Sequence, residues 1–290
     1  MESQAQHIAI YGKGGIGKST TTSNIAASLA EAGYRVIQIG CDPKSDSTST
    51  LRGANYLPTV LDSVRDGGRV KLTDISAVGF KGVLCIEAGG PVPGVGCAGR
   101  GINAAIELLR ELHLFEEYKP DVVLYDVLGD VVCGGFAVPI REGLTDRVYV
   151  VSSSDFMAIY AANNLFRAIN KYAPSGGAKL GGIIANSVLA PYAQALIDDF
   201  AQTTGTRTVA FVPRSTAVAQ AELYGQTVIE ASPASPQADV YRRLAHNIVD
   251  DRSAVIPRPL AVNDLRAWAR KWGDLVIQVE QGRVTPQAGI

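Results

Sequence analysis

His7-Ile8-Ala9-Ile10-Tyr11 runs straight into Gly12-Lys13-Gly14-Gly15-Ile16-Gly17-Lys18-Ser19, and this junction decides the fold. The first five residues have the apolar character of a buried strand, and residues 19–32 continue as an amphipathic helix. The eight between match G-x-x-x-x-G-K-S/T. Such a strand, turn and helix start build an anion cradle. Main-chain N–H groups converge on phosphate oxygens where no Cβ obstructs them, and the helix end adds partial positive charge. The reading is a nucleotide site held by Gly12, Gly14, Gly15, Ile16, Gly17, Lys18, Ser19 and Thr20, with Lys18 on the β- and γ-phosphates and Ser19 on Mg²⁺. The plainer alternative, a turn that only joins strand to helix, leaves the full set of fixed positions unexplained. Lys13 is a second lysine inside the loop. Either it is solvated, or in a dimer that closes over its nucleotides it reaches the partner's phosphates as an arginine finger does.

Outward from this junction, strand-like runs at 35–40, 82–87, 121–126, 147–152, 180–186 and 208–212 alternate with helical patterns at 102–112, 156–172, 191–203 and 237–249. That alternation predicts an α/β fold: a single doubly wound, mostly parallel sheet with helices on both faces. No composition break divides residues 1–259, which are read as one domain. Residues 260–290 are read as a late helix at 260–273, carrying Trp268 and Trp272, and a polar, peripheral tail.

The 290 residues are 47% hydrophobic and 19% charged, so the chain is neither disordered nor fibrous, and no apolar run has transmembrane length. The net charge of −1 comes with no basic stripe, which argues against nucleic acid as a partner. Residues 1–7 lack the positive start and apolar stretch of a signal peptide. The expected compartment is the cytoplasm, where disulfides are disfavoured.

Two acidic segments follow predicted strands. Asp42-Pro43-Lys44-Ser45-Asp46 would lie at the carboxyl edge of the sheet, where open α/β folds bind ligands. Asp42 is placed to orient a hydrolytic water and Asp46 to sense Mg²⁺, unless the segment is only a polar turn. Residues 121–126 read D-V-V-L-Y-D, an apolar strand ending in a carboxylate, so Asp126 is the candidate to face Mg²⁺ through water. Beyond it, Gly129, Asp130, Gly134 and Gly135 flank Cys133. The seven residues from Asp126 to Cys133 span at most roughly 25 Å, so a change at the nucleotide can move that cysteine through one short piece of backbone.

Cys97 and Cys133 both sit in glycine-rich loops, and neither belongs to a C-x-x-C pair. They are either small hydrophobes in turns or half of a ligand set. Two thiolates cannot complete the four ligands of a 4Fe-4S cluster, but a twofold homodimer supplies four. Cys41 and Cys85 lie in apolar strand patterns and are read as packing residues. His7, His113 and His246 show no metal-ligand spacing.

Four strings together resemble the nitrogenase iron protein family and its nitrogenase-like relatives: G-K-G-G-I-G-K-S-T-T from Gly12, G-C-D-P-K-S-D-S-T from Gly40, E-A-G-G-P-V-P-G-V-G-C-A-G-R-G from Glu87 and Y-D-V-L-G-D-V-V-C-G-G-F from Tyr125. The resemblance runs to about Pro259. It implies a P-loop NTPase fold with a deviant Walker A loop, and a homodimer bridged by one 4Fe-4S cluster on Cys97 and Cys133, with one MgATP per subunit. It further implies docking on a larger nitrogenase-like catalytic component, single-electron delivery coupled to ATP hydrolysis, and a ferredoxin or flavodoxin donor. Lys13, Asp42 and Asp130 take the catalytic and coupling roles, with Lys44, Asp46 and Asp126 around the nucleotide and Asn186 and Pro213 near the base. Arg100, which some members modify, and Arg141 fall on the docking face.

This sequence departs from the family's usual pattern at Ser45 and Ser49, at Gly143-Leu144 in place of asparagine-lysine, and in a carboxyl-terminal part carrying Arg266 and Arg270. These departures point toward a methylthio-alkane reductase as the complex served, with a true nitrogenase as the alternative. A different class, the metal-free dimeric ATPases that position partition or septum sites, shares the two-lysine loop. The membrane-targeting helix or basic surface of such proteins is not evident, and that reading leaves the cysteine loops unexplained.

Overall fold

A computed structural model describes residues 5–66, 69–90, 98–129, 138–141, 144–190 and 192–285. Among the described residues there are eight strands: β1 (Gln6–Gly12), β2 (Val36–Gly40), β3 (Ser76–Val78), β4 (Leu84–Glu87), β5 (Val122–Asp126), β6 (Arg147–Ser152), β7 (Lys179–Val188) and β8 (Thr208–Pro213). They make one sheet in the order β3-β4-β2-β5-β1-β6-β7-β8. All pairs are parallel except β3 on β4.

Strands β2, β4, β5 and β6 are buried at every position, as a parallel sheet covered on both faces requires. The two-residue period of β1 divides the core. Ile8 and Ile10 face one side, beneath the helices Lys18–Glu31 and Pro236–Asp250. Ala9 and Tyr11 face the other, beneath Ala98–Glu111, Phe156–Tyr172, Ala193–Thr203 and Val262–Glu280. Central β1 pairs with β5 on one side and β6 on the other, and register sets Asp126 level with Ile10 and with Gly40. The carboxyl ends of β1, β2 and β5 therefore meet at one edge, the ligand-binding position of this architecture.

Edge strand β3, several short helices such as Val60–Arg65 and Thr216–Leu223, and the end of the last helix differ from the sequence expectation. Edge strand β3 is only three residues long, too short to leave a period in the sequence. The last helix runs past Gly273 to Glu280, because Leu275 and Val276 extend the stripe of Leu265, Trp268 and Trp272 that packs on the core. Trp268 and Trp272 both donate their indole N–H to Asp199 Oδ2, at 2.6 and 2.9 Å. Among the described residues no helix is long and apolar enough to cross a membrane.

Candidate functional site

The loop after β1 has the local geometry its glycines allow. Gly15 and Gly17 hold φ of 76° and 84°, a region that side chains with a Cβ rarely adopt. Gly17 is the residue before the helix Lys18–Glu31, and no side chain caps that helix. Its first N–H groups are thus left for an anion. Lys18 does not point to solvent. It is 6% exposed, and its Nζ lies 2.5 Å from Asp126 Oδ1, with the Ser19 hydroxyl at 3.4 Å. Lys13 is exposed, and Ile16 and Thr20 are partly buried.

Asp126, at the end of β5, is fully buried and has two partners. Besides Lys18, the Ser47 hydroxyl donates to its Oδ2 at 2.5 Å. The first acidic segment is therefore joined to the phosphate loop through this one carboxylate. Asp42 is 8% exposed and accepts the Lys44 N–H at 3.0 Å, while Lys44 and Asp46 are exposed. The carboxyl end of this segment is anchored from below. Gln38 Nε2 on β2 donates to the Ser47 carbonyl and hydroxyl and to Ser23 Oγ. Glu87 at the end of β4 accepts both the N–H and the hydroxyl of Thr48 on Oε1, at 2.7 and 2.6 Å.

Past Asp126 the chain presses directly on the phosphate loop: a Cβ at Gly129 would overlap the carbonyl of Gly12. On the other flank Asn186 donates to the Ile16 carbonyl at 2.7 Å. It lines a cavity of about 180 Å³ together with Thr20, Pro213, Glu222 and Tyr241, and Thr20 donates to the Glu222 carboxylate. One continuous site thus gathers Gly12, Gly14, Gly15, Ile16, Gly17, Lys18, Ser19, Thr20, Asp42, Asp126, Asn186 and Pro213. A nucleoside triphosphate fits the cradle: helix N–H groups for phosphate, Lys18 and Ser19 at the inner end, and the cavity by Asn186 for the base.

Cys41 and Cys85 are buried, and burial pushes both thiols up, Cys85 to about 12, as expected of packing residues. Cys97, Cys133 and Asp130 lie outside the described residues. Arg100 is in the first turn of Ala98–Glu111 and Arg141 ends the short helix Val138–Arg141; their side chains are not among those described.

Sequence reasoning missed Gln38, Ser47, Thr48, Glu87 and Glu222. A signal existed for Glu87. Leu84–Glu87 is an apolar strand closing on a carboxylate, the pattern that singled out Asp126.

The model of the NifH/frxC family of 4Fe-4S iron sulfur cluster binding proteins matches residues 6–274. The chain is similar to nitrogenase iron protein 2 of Paenibacillus durus, 58% identical over 99% of both chains. It is likewise similar to nitrogenase iron protein 2 of Methanothermococcus thermolithotrophicus, at 50% identity over 88% of this chain and 92% of that one. Among solved structures it resembles the cell-division ATPase MinD of Pyrococcus furiosus, with TM-score 0.65, 20% identity, and 85% and 99% of the two chains covered. The septum site-determining protein MinD of Pyrococcus horikoshii, complexed with Mg-ADP, matches at TM-score 0.64, 20% identity, and 84% and 96% coverage. At these identities the MinD likeness concerns the fold alone.

Proposed function

Because the chain belongs to the NifH/frxC family of 4Fe-4S iron–sulfur cluster binding proteins, we propose that it is an ATP-gated, single-electron reductase component serving a larger catalytic protein. One observation carries the gating: the Asp126 carboxylate joins Lys18 of the phosphate loop to Ser47 of the first acidic segment. Triphosphate binding draws Lys18 away from Asp126, which then re-partners, and Ser47 must follow. Asp126 is also seven residues from Cys133, so the same rearrangement reaches a cluster ligand along continuous backbone.

The cluster, when bound, supplies one-electron chemistry. Cys97 and Cys133 are the thiols for it. Cys41 and Cys85 are unsuited, being buried with thiols held protonated. Two copies of the chain complete the ligand set, so the working unit is a homodimer. In that dimer Lys13, exposed on the loop, is free to reach the partner's phosphates, Asp42 orients the attacking water, and Asp130 relays nucleotide state toward Cys133. Arg100 and Arg141 contribute to docking, and a ferredoxin or flavodoxin recharges the protein.

The names of the two curated relatives favour a nitrogenase catalytic component as the partner. A methylthio-alkane reductase is the second reading, supported by the loss of a positive charge at Gly143-Leu144 beside Arg141, by Ser45 in the first acidic segment and by Ser49 just after it. Co-purification under anaerobic conditions, with assays for dinitrogen and for methylthio-alkane reduction, separates the two. Iron content and the visible spectrum test the class. A colourless, iron-free dimer that still binds ATP would instead be a positioning ATPase.

A further inference from the structure

Glu87 is a buried acid to which the ATPase chemistry assigns no task. It is 0% exposed and stands at the carboxyl end of β4, beyond β2 from Asp126. Oε1 accepts the main-chain N–H and the hydroxyl of Thr48. Thr48 Oγ1 in turn accepts from Arg52 Nε at 3.0 Å, so three side chains form one chain beneath the segment. Oε2 is buried, has no hydrogen-bond partner among the described residues, and fills the space a Cβ at Gly40 would need.

A burial pattern accompanies these bonds. From Pro43 to Asp46 the segment is exposed or half-buried, while Ser47 and Thr48 are 1% and 0% exposed and held by Gln38 and Glu87. The break between loose and held backbone thus falls at Ser47, the residue bonded to Asp126.

We propose that Glu87 is the positioning residue of the first acidic segment: by gripping Thr48 it fixes the hinge about which residues 42–46 move when the nucleotide changes. The inference rests on the ATP-gated reading and deepens it. Glu87 acts through Thr48 and touches no nucleotide group.

The grip depends on charge. A carboxylate accepts two donors more strongly than its neutral form does. Burial, with Asp126 adding to it, pushes the Glu87 carboxyl up to about 7, against the Thr48 hydrogen bonds and Arg52, which favour the ionised form. Cys85 and Cys41, the other titratable groups around it, are held neutral by burial. The hold on Thr48 is therefore tighter at pH 8 than at pH 6.

Hydrogen exchange of the peptide containing Thr48, corrected for intrinsic rates, reads this grip directly in the purified dimer. The parent is expected to protect that amide more at pH 8 than at pH 6. Glu87→Gln abolishes the difference and lowers protection at pH 8 by on the order of tenfold. Thr48→Val gives a similar loss at pH 8 and Thr48→Ser restores the parent behaviour. A fluorescent ATP analogue, titrated on each protein, monitors the nucleotide site separately. Failure of the parent to bind it would remove the ATP reading itself. Normal nucleotide binding, with unchanged exchange and pH dependence in both Glu87→Gln and Thr48→Val, would overturn the role of Glu87 alone.

Discussion

The Lys18 ammonium lies 2.5 Å from the Asp126 carboxylate, with the two side chains 6% and 0% exposed. A pair this buried compensates two charges that water no longer solvates. Removal of one partner is far costlier than removal of both. Asp126→Ala is expected to destabilise the nucleotide-free protein by about 3–5 kcal/mol in urea unfolding. The double variant Lys18→Met, Asp126→Ala should recover part of that loss. Equal losses in the two would deny that Lys18 depends on Asp126.

The backbone of Gly129 packs on Gly12 so closely that no side chain fits between. Gly129→Ala should cost about 1–3 kcal/mol and weaken nucleotide binding, since only main-chain movement of the phosphate loop can make room. Gly14→Ala is the control. Open space surrounds that position, and its melting temperature should match the parent's. Equal melting temperatures for all three proteins would contradict the close approach.

Glu87 also gives stability a pH dependence of defined sign. Burying the ionised carboxylate costs more than its tighter Thr48 hydrogen bonds return, so the folded-state carboxyl is raised from 4.5 to about 7; its net contribution to global stability is fully present below pH 4.5 and is lost as pH rises through 7, even as the local grip on Thr48 tightens. Glu87→Gln has no such group. Relative to the parent, the variant should gain up to about 3 kcal/mol between those two pH values, read from urea unfolding at each. A constant difference across that window would mean that the carboxyl is not perturbed.

Asp199 is the shared acceptor of Trp268 and Trp272, the two tryptophans of the chain. Asp199→Ala leaves two largely buried indole donors without it and should cost on the order of 2 kcal/mol. Fluorescence excited selectively at tryptophan, which reports only these two rings, should change with it. An unaltered emission spectrum and melting temperature would show that this helix is held by apolar packing alone.

The phosphate loop and the α/β class were legible because fixed glycines and alternating apolar runs are local signals. Asp126 was legible for the same reason, as a carboxylate closing a strand. Glu87 closes its strand in the same way, yet its importance depends on Thr48, a residue 39 positions away that only the folded sheet brings to it. Gln38 was read as part of an apolar run, though its amide anchors Ser47. The last helix exceeded its expected end because a glycine at 273 stops a helix only where the apolar stripe also stops, and here the stripe continues to Leu275 and Val276.

If ATP gates electron delivery, nucleotide at the Lys18–Asp126 site must be felt at Cys97 and Cys133. The decisive quantity is the rate at which a chelator removes iron from the reduced, anaerobic dimer, measured without nucleotide, with MgADP and with MgATP. Bound iron should be lost with both Cys97→Ser and Cys133→Ser, and the parent's chelation rate should change with MgATP. That change should be absent in Lys18→Ala. A chelation rate indifferent to MgATP, or a full complement of iron in the serine variants, would contradict it.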